Sequence, residues 1–364
     1  MTAAHDEPFE ISVGPQHPGS GHFRLLIQLD GDTIVQAKPD PGYVHRGVEK
    51  SAENRTFLNV IPMLERVCLP DVNNHALGYA LTVERILDIT PPERAQYLRV
   101  IMCELGRIMS HLYWTSIFGI FEGHSTAFMW GFADREVIID LMEWVSGSRI
   151  SYFAIVPGGV RFDVPSGFEE RTRQVLDFLE KRFDEHSRMF FHNSILRNRT
   201  IGTGLLPAEE AIRLGVVGPS LRGSGIDSDI RIDEPYAAYP KLEVPIAIND
   251  GCDSYARCLV RLDEMRNSVA IIRQALTDLP EGDFRVKIPT RVKEGTAFTR
   301  VEAARGELCH YLVTDGTNKP YRLKITTPSF RNLPAIPYVL HGWHLADMPT
   351  NYMSLDYWPV DADR

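Results

Sequence analysis

The sequence predicts an α+β fold: an N-terminal β hairpin with a small sheet, a central bundle of long helices, and a small β-containing C-terminal portion. Three observations predict it. Strand-like runs flank Asp30-Gly31-Asp32, a proline-free run extends from Glu93 to Phe121, and strand-like runs return after Pro280. With 364 residues and 44% hydrophobic content, the chain is long and apolar enough for a sizeable core.

The elements follow in order. His22 to Leu29 and Thr33 to Ala37 surround the Asp-Gly turn signal and read as a hairpin. From Val72 the apolar spacing becomes helical. Pro91-Pro92 before Glu93 marks a helix start, because proline is tolerated in the first turn, and one long helix can run to Phe121. Asp134 to Ser146, Glu169 to Phe190 and Ser254 to Leu276 are three further helix candidates, with Gly158-Gly159 and Gly223-Ser224-Gly225 marking loops between them. Leu308 to Thr314 and Tyr321 to Thr327, around Asp315-Gly316, read as strands. The expected organisation is a β region over 1–60, a helical core over 61–280 and an α+β portion over 281–364, integrated as one domain.

Composition excludes several classes. A net charge of −9 argues against nucleic acid as a partner. Five scattered cysteines, an odd number, read as reduced thiols. Met1 to Glu10 has no basic or apolar region of a secretory signal, and the most apolar stretch, Leu112 to Phe121, falls short of the roughly 20 residues a membrane span needs. A soluble or peripheral protein is expected. There is no phosphate-cradling loop, no CxxC or HExxH zinc pair and no GxSxG elbow.

Glu104, Arg107 and His111 share one face of the long helix at i, i+3 and i+7. Periodicity alone favours a solvated, salt-bridged stripe. Ile101, Leu105, Ile108 and Leu112 form another, apolar stripe, so burial on both sides stays open, and buried charges would need partners. The loop from Gly14 to His22 carries His17 and His22 among prolines and glycines, a weak site candidate by itself.

The motifs then combine. Gly14-Pro15-Gln16-His17-Pro18 is followed by Gly42-Tyr43-Val44-His45-Arg46-Gly47-Val48-Glu49-Lys50 and Glu53-Asn54-Arg55-Thr56. Glu104-Leu105-Gly106-Arg107, Ser110-His111-Leu112 and Gly158-Gly159-Val160 come next. Gly218-Pro219-Ser220-Leu221-Arg222-Gly223-Ser224-Gly225, Asp229-Ile230-Arg231, Arg305-Gly306-Glu307-Leu308 and Pro320-Tyr321-Arg322-Leu323-Lys324-Ile325 complete the series. In order and spacing these resemble the D-type subunit family of NADH-quinone oxidoreductase, the 49-kDa subunit family of respiratory complex I, over nearly the whole chain. That family is similar to the large subunit of nickel-iron hydrogenases, which implies a hydrogenase-large-subunit-like fold. A nickel-iron site needs four thiolates in two pairs. Here Cys68 keeps one position, Asp71 stands three residues on, and Ser354-Leu355-Asp356-Tyr357-Trp358-Pro359 carries no cysteine, so no metal is expected in this chain.

The resemblance implies a core peripheral-arm subunit that helps form the quinone-reduction site beside an Fe–S cluster held by an adjacent subunit. It also implies coupling of electron transfer from NADH to ion translocation. The implied partners are a small Fe–S subunit of B type, a C-type subunit and a membrane-arm subunit of H type, on the cytoplasmic side of the cell membrane. Carried over by residue, His22 is the headgroup histidine, displaced by one place because Gly21 stands where the family has its second histidine. Leu69 follows Cys68 where the family has a tyrosine donor. Glu122 is the nearest carboxylate to the position of the histidine's expected aspartate, which falls at Phe121. His22 and Glu122 are thus the implied catalytic pair, with His17, Arg66, Cys68 and Leu69 lining the pocket and Arg66 expected to be buried beside the cluster-facing surface. His45, Glu49, Glu104, Arg107 and His111 are expected in a structural or coupling network. Asp361, Asp363 and Arg364 are expected to anchor the tail.

Because the departures gather at the headgroup pocket, an adapted acceptor is expected, such as a low-potential menaquinone or a methanophenazine-like carrier. Two alternatives remain: a deazaflavin- or ferredoxin-driven relative of complex I, and a structural assembly subunit with an inactive pocket.

Overall fold

A computed structural model describes residues 9–17 and 21–364. The first sheet is antiparallel, β1 (Phe9–Val13), β2 (Arg24–Asp30) and β3 (Thr33–Asp40), in the order β1-β2-β3. The predicted hairpin forms at Gly31-Asp32, where Gly31 takes φ 62°. β2 alternates buried Leu25, Ile27 and Leu29 with more exposed residues, as a sheet with one covered face requires.

The helical body comprises α1 (Phe57–Leu64), α2 (Val72–Leu87), α3 (Glu93–Phe121), α4 (Ser125–Ser146) and α5 (Phe168–His186). The short α6 (Pro219–Arg222) and α7 (Ile230–Asp233) precede the long α8 (Ser254–Thr277). α3 begins and ends where the sequence places it. α4 starts nine residues earlier than Asp134, because His124 caps it through Nδ1, which accepts from the Ala127 backbone N–H at 3.1 Å. Gly131 argues against a helix there by propensity, but a Cβ at that position would stand 2.2 Å from Ser116 Oγ of α3. Close helix packing outweighs propensity at that point. The helix expected to Phe190 changes to a π-helical turn over Ser187–Phe191.

A second antiparallel sheet follows, β4 (Gly295–Ala303), β5 (Gly306–Thr314) and β6 (Arg322–Thr326), in sequence order. β4 was not legible as a strand in the sequence. Two short helices, α9 (Met348–Ser354) and α10 (Pro359–Asp363), close the chain. Apolar side chains from Val13 to Ala362 form one connected buried cluster spanning both sheets and the helices.

α3 is the axis of the molecule. Every residue from Tyr97 to Leu112 is buried, so Glu104, Arg107 and His111 are not a solvated stripe. Burial on both faces of the helix is the reason, and it forces each charge to find a partner inside.

Candidate functional site

Cys68 follows α1 at the edge of a 3-10 turn and is buried at 2% exposure. Its Sγ lies 3.3 Å from Nη1 of Arg305, a residue of the two-residue turn joining β4 to β5. Arg305 also donates to Ser110 Oγ of α3 at 3.1 Å, to the Asp356 backbone carbonyl at 3.1 Å and to the Asp356 carboxylate at 3.0 Å. Its guanidinium lies 5.7 Å from the Trp358 ring centre. The turn is held in place by glycine. Gly218, before α6, has φ 69°, and a Cβ on it would stand 2.4 Å from the Arg305 carbonyl, so the two backbones touch.

Beside Arg305, His75 Nε2 in the first turn of α2 lies 3.2 Å from Asp361 Oδ1. Donor atoms of Cys68, His75 and Asp361 fall within 4.8 Å of one another. The set has the softness a divalent zinc-like ion takes, but Arg305 already occupies the side of the sulfur and burial pushes the Cys68 thiol well up, against the thiolate a metal needs. Asp71, where a second thiolate would stand, instead accepts from the Asn74 amide at 2.7 Å and from the Ala304 backbone N–H at 2.7 Å. His310, 6.5 Å from the His75 ring centre, is held neutral: burial, and then His75, push it down to about 3.

The roof is aromatic. Phe23, next to His22, is fully buried and packs on Tyr357 at 4.8 Å and Tyr352 at 5.8 Å between ring centres. Phe23 thereby ties the start of β2, just after His22, to the segment that carries Asp356 and Trp358. The Tyr357 hydroxyl and Trp358 Nε1 are shielded from solvent and have no hydrogen-bond partner among the described residues. His17 closes its end of the loop: Gly21 N–H donates to the His17 carbonyl at 2.7 Å.

Behind this cluster lies an ionic network. Glu104 accepts from Arg107 (3.2 Å), Arg231 (3.1 Å), Ser268 (2.6 Å) and the Tyr239 hydroxyl (2.6 Å). Burial alone would raise its carboxyl, but the two arginines and two hydroxyls outweigh it and hold it at about 2. His111 Nε2 meets Glu264 at 2.8 Å, and burial lowers its pKa.

The other predicted residues fall in different places. His45 Nδ1 meets the Asp363 carbonyl at 2.6 Å, and the Gly42 and Val44 backbone N–H groups donate to the Asp363 carboxylate at 2.8 and 3.0 Å. Glu49 accepts from Ile325 N–H at 2.9 Å and pairs with Arg322 at 3.1 Å. These two residues hold the tail and β6. Arg66 is exposed rather than buried, its Nη1 donating to the Pro62 carbonyl, and Leu69 is exposed as well. The reason is local: both point away from the core on either side of buried Val67 and Cys68. Glu122 caps the end of α3, accepting from Thr350 at 2.6 Å and pairing with Arg199 at 3.0 Å. Those contacts tie it to α9 rather than to His22. Sequence reasoning missed His75, Arg305 and Tyr357 as site residues, although Arg305 opens the Arg305-Gly306-Glu307-Leu308 motif.

The profile of the family described as respiratory-chain NADH dehydrogenase, 49 Kd subunit, matches residues 122–291 and 286–364. The chain is 40% identical to the D-type subunit of the NADH-quinone oxidoreductase of Geotalea uraniireducens, covering 99% of this chain and 100% of that one. The chain belongs to the 49-kDa subunit family. It is also 42% identical to the D-type subunit of the F(420)H(2) dehydrogenase of Methanosarcina mazei, covering 97% of each. Among solved structures it is similar to a chain of the membrane-bound sulfane sulfur reductase, an archaeal respiratory membrane complex, with a TM-score of 0.94, 35% identity and coverage of 98% and 99%. As a 49-kDa-family chain it is an oxidoreductase subunit. Among its described residues no helix is long and apolar enough to cross a membrane.

Proposed function

We propose that this chain forms one wall of an electron-acceptor site in a membrane-associated respiratory complex, and that the acceptor is a lipid-soluble carrier of quinone type. The observation that carries this reading is the cluster of Cys68, Arg305, Asp356 and Trp358, tied through Tyr357 to Phe23 beside His22. It unites a buried cation, two unmet hydrogen-bond donors and apolar walls, the composition of a site that fixes a flat polar headgroup. Electrons enter from an Fe–S cluster in a small B-type neighbour, with C-type and membrane-arm H-type subunits completing the assembly on the cytoplasmic side. The exposed Arg66, Leu69 and His22 are surfaces such neighbours cover. The Tyr357 hydroxyl supplies the phenolic donor that Leu69 lacks, and His22 supplies the second contact. Glu122 serves the pocket only through α9.

Reduction of a two-electron carrier takes up protons, so the donors at the headgroup matter for rate as well as for binding. His22→Ala is expected to lower acceptor reduction by the purified complex by about 100-fold while the complement of subunits stays normal. An unchanged rate would remove His22 from the site. Turnover with defined quinones and with a phenazine-type carrier tests the wider reading. Reduction of one of them supports it, and reduction of none points to an assembly subunit with an inactive pocket. A second reading differs in the donor: the likeness to an F(420)H(2) dehydrogenase chain, beside that to NADH-quinone oxidoreductase chains, leaves a reduced deazaflavin as the other input. Supplying each donor to the complex separates the two.

A further inference from the structure

The network around α3 does not balance its carboxyl groups with arginines alone. Contacts of 4.0 Å or less join the carboxyl groups of Glu104, Asp229, Glu264 and Glu302 to the guanidiniums of Arg107, Arg222 and Arg231. Four acids meet three arginines, all seven side chains buried at 2% exposure or less, and buried His111 stands 2.8 Å from Glu264 as a further, titratable base. An uncompensated buried charge is costly, so the network is neutral only if one group carries an extra proton.

Geometry decides which. Glu104 has Arg107 and Arg231, with two hydroxyls besides. Asp229 has a paired fork from Arg231 at 2.9 and 2.6 Å. Glu264 has two bonds from Arg222 at 3.1 and 2.6 Å, and His111 on its other oxygen. Glu302 receives one bond at 2.9 Å from Arg222, a guanidinium already engaged with Glu264, and a long one of 3.3 Å from the Ile230 backbone N–H. The groups facing Glu302 are Arg222 of α6, Asp229 and Arg231 at α7, Arg107 of α3, and the Tyr236 hydroxyl, which accepts from its backbone N–H. Exposed Asp233 adds a negative charge near Asp229. Burial, with Arg261 and Arg107, lowers the pKa of His111 against the rise that Glu264 gives it.

We propose that Glu302 is a proton-holding carboxyl, the store from which the acceptor site behind Cys68 draws. Its place in the fold suits that role. Glu302 lies three residues before Arg305 on the same hairpin, and Arg107 binds the carbonyls of Glu302 and Ala303 at 2.7 and 3.1 Å, fixing the hairpin to α3. Burial raises its carboxyl to about 7, with Arg222 opposing and Asp229 adding to the rise. A proton is therefore bound on the acid side of neutrality and released above it. The store exists whichever acceptor is used; its service to acceptor reduction rests on the function proposed above.

Infrared difference spectra of the whole complex, titrated through neutrality, test the store. A protonated-carboxyl stretch that fades as pH rises through about 7 and is missing in Glu302→Gln is the expected result. A stretch that persists in Glu302→Gln, or none at any pH, overturns the proposal. If Glu302→Gln does not assemble, Glu302→Asp keeps the ionisable group but draws it back from Arg222, and its midpoint must shift; an unshifted midpoint also overturns the proposal. The pH profile of turnover tests the service. In Glu302→Gln the limb near neutrality disappears if the store feeds the acceptor. A titrating stretch with an unaltered turnover profile keeps the store and overturns its service.

Discussion

Replacing Arg305 by methionine is expected to destabilise the chain by about 3–5 kcal/mol and to abolish acceptor reduction. Methionine fills much of the volume but leaves Asp356 buried with, among the described residues, Arg261 at 3.9 Å as its remaining cationic partner. It also leaves the Asp356 carbonyl and Ser110 without their donor, and removes the cation beside the Trp358 ring. Removing one member of a buried pair is costly because the other stays charged, not because the pair itself was strongly favourable. Arg305→Lys keeps the charge yet lacks the planar fork that reaches all these partners at once, so it is expected to recover stability in part and activity little. Denaturation midpoints and the yield of assembled complex, measured for both variants, check this.

The second large effect is expected at Glu104. Glu104→Ala removes the shared counter-ion of Arg107 and Arg231 and the acceptor of Ser268 and Tyr239, again at a cost of about 3–5 kcal/mol. The effect should not add to that of Arg231→Leu, since removing both sides of the pair leaves fewer unmatched charges than removing either. A double-mutant cycle on chain stability reads this directly: the double variant is expected to lose less than the sum of the two single losses. Simple additivity would mean that the two groups do not share a network.

Much of the fold was legible because its signals are local. The turn at Gly31, the proline start of α3 and the Asp315-Gly316 break are fixed by backbone chemistry that a short window contains. The early start of α4 was not legible, because Gly131 is tolerated only through its contact with Ser116 on another helix. The burial of Glu104, Arg107 and His111 was undecided in sequence for the same reason: their partners Arg231, Glu264 and Ser268 are more than 120 residues away. At the site, Cys68 and Asp71 stood out as departures from a pattern. Arg305 and Asp361 did not stand out as neighbours of Cys68, since only the fold brings a hairpin turn and the C-terminal helix to it. Arg66 and Leu69 read as pocket residues by position in a motif, but in this chain they flank the buried pair Val67 and Cys68 and both turn outward.

The most direct measurement is photo-labelling of the assembled complex with a light-activated quinone analogue, followed by mapping of the modified residues. Label on the 21–24 loop and the 356–358 segment, displaced by excess acceptor, is the predicted result. Label confined to other parts of the chain or to other subunits, or label that excess acceptor does not displace, would contradict an acceptor site built on Cys68 and Arg305.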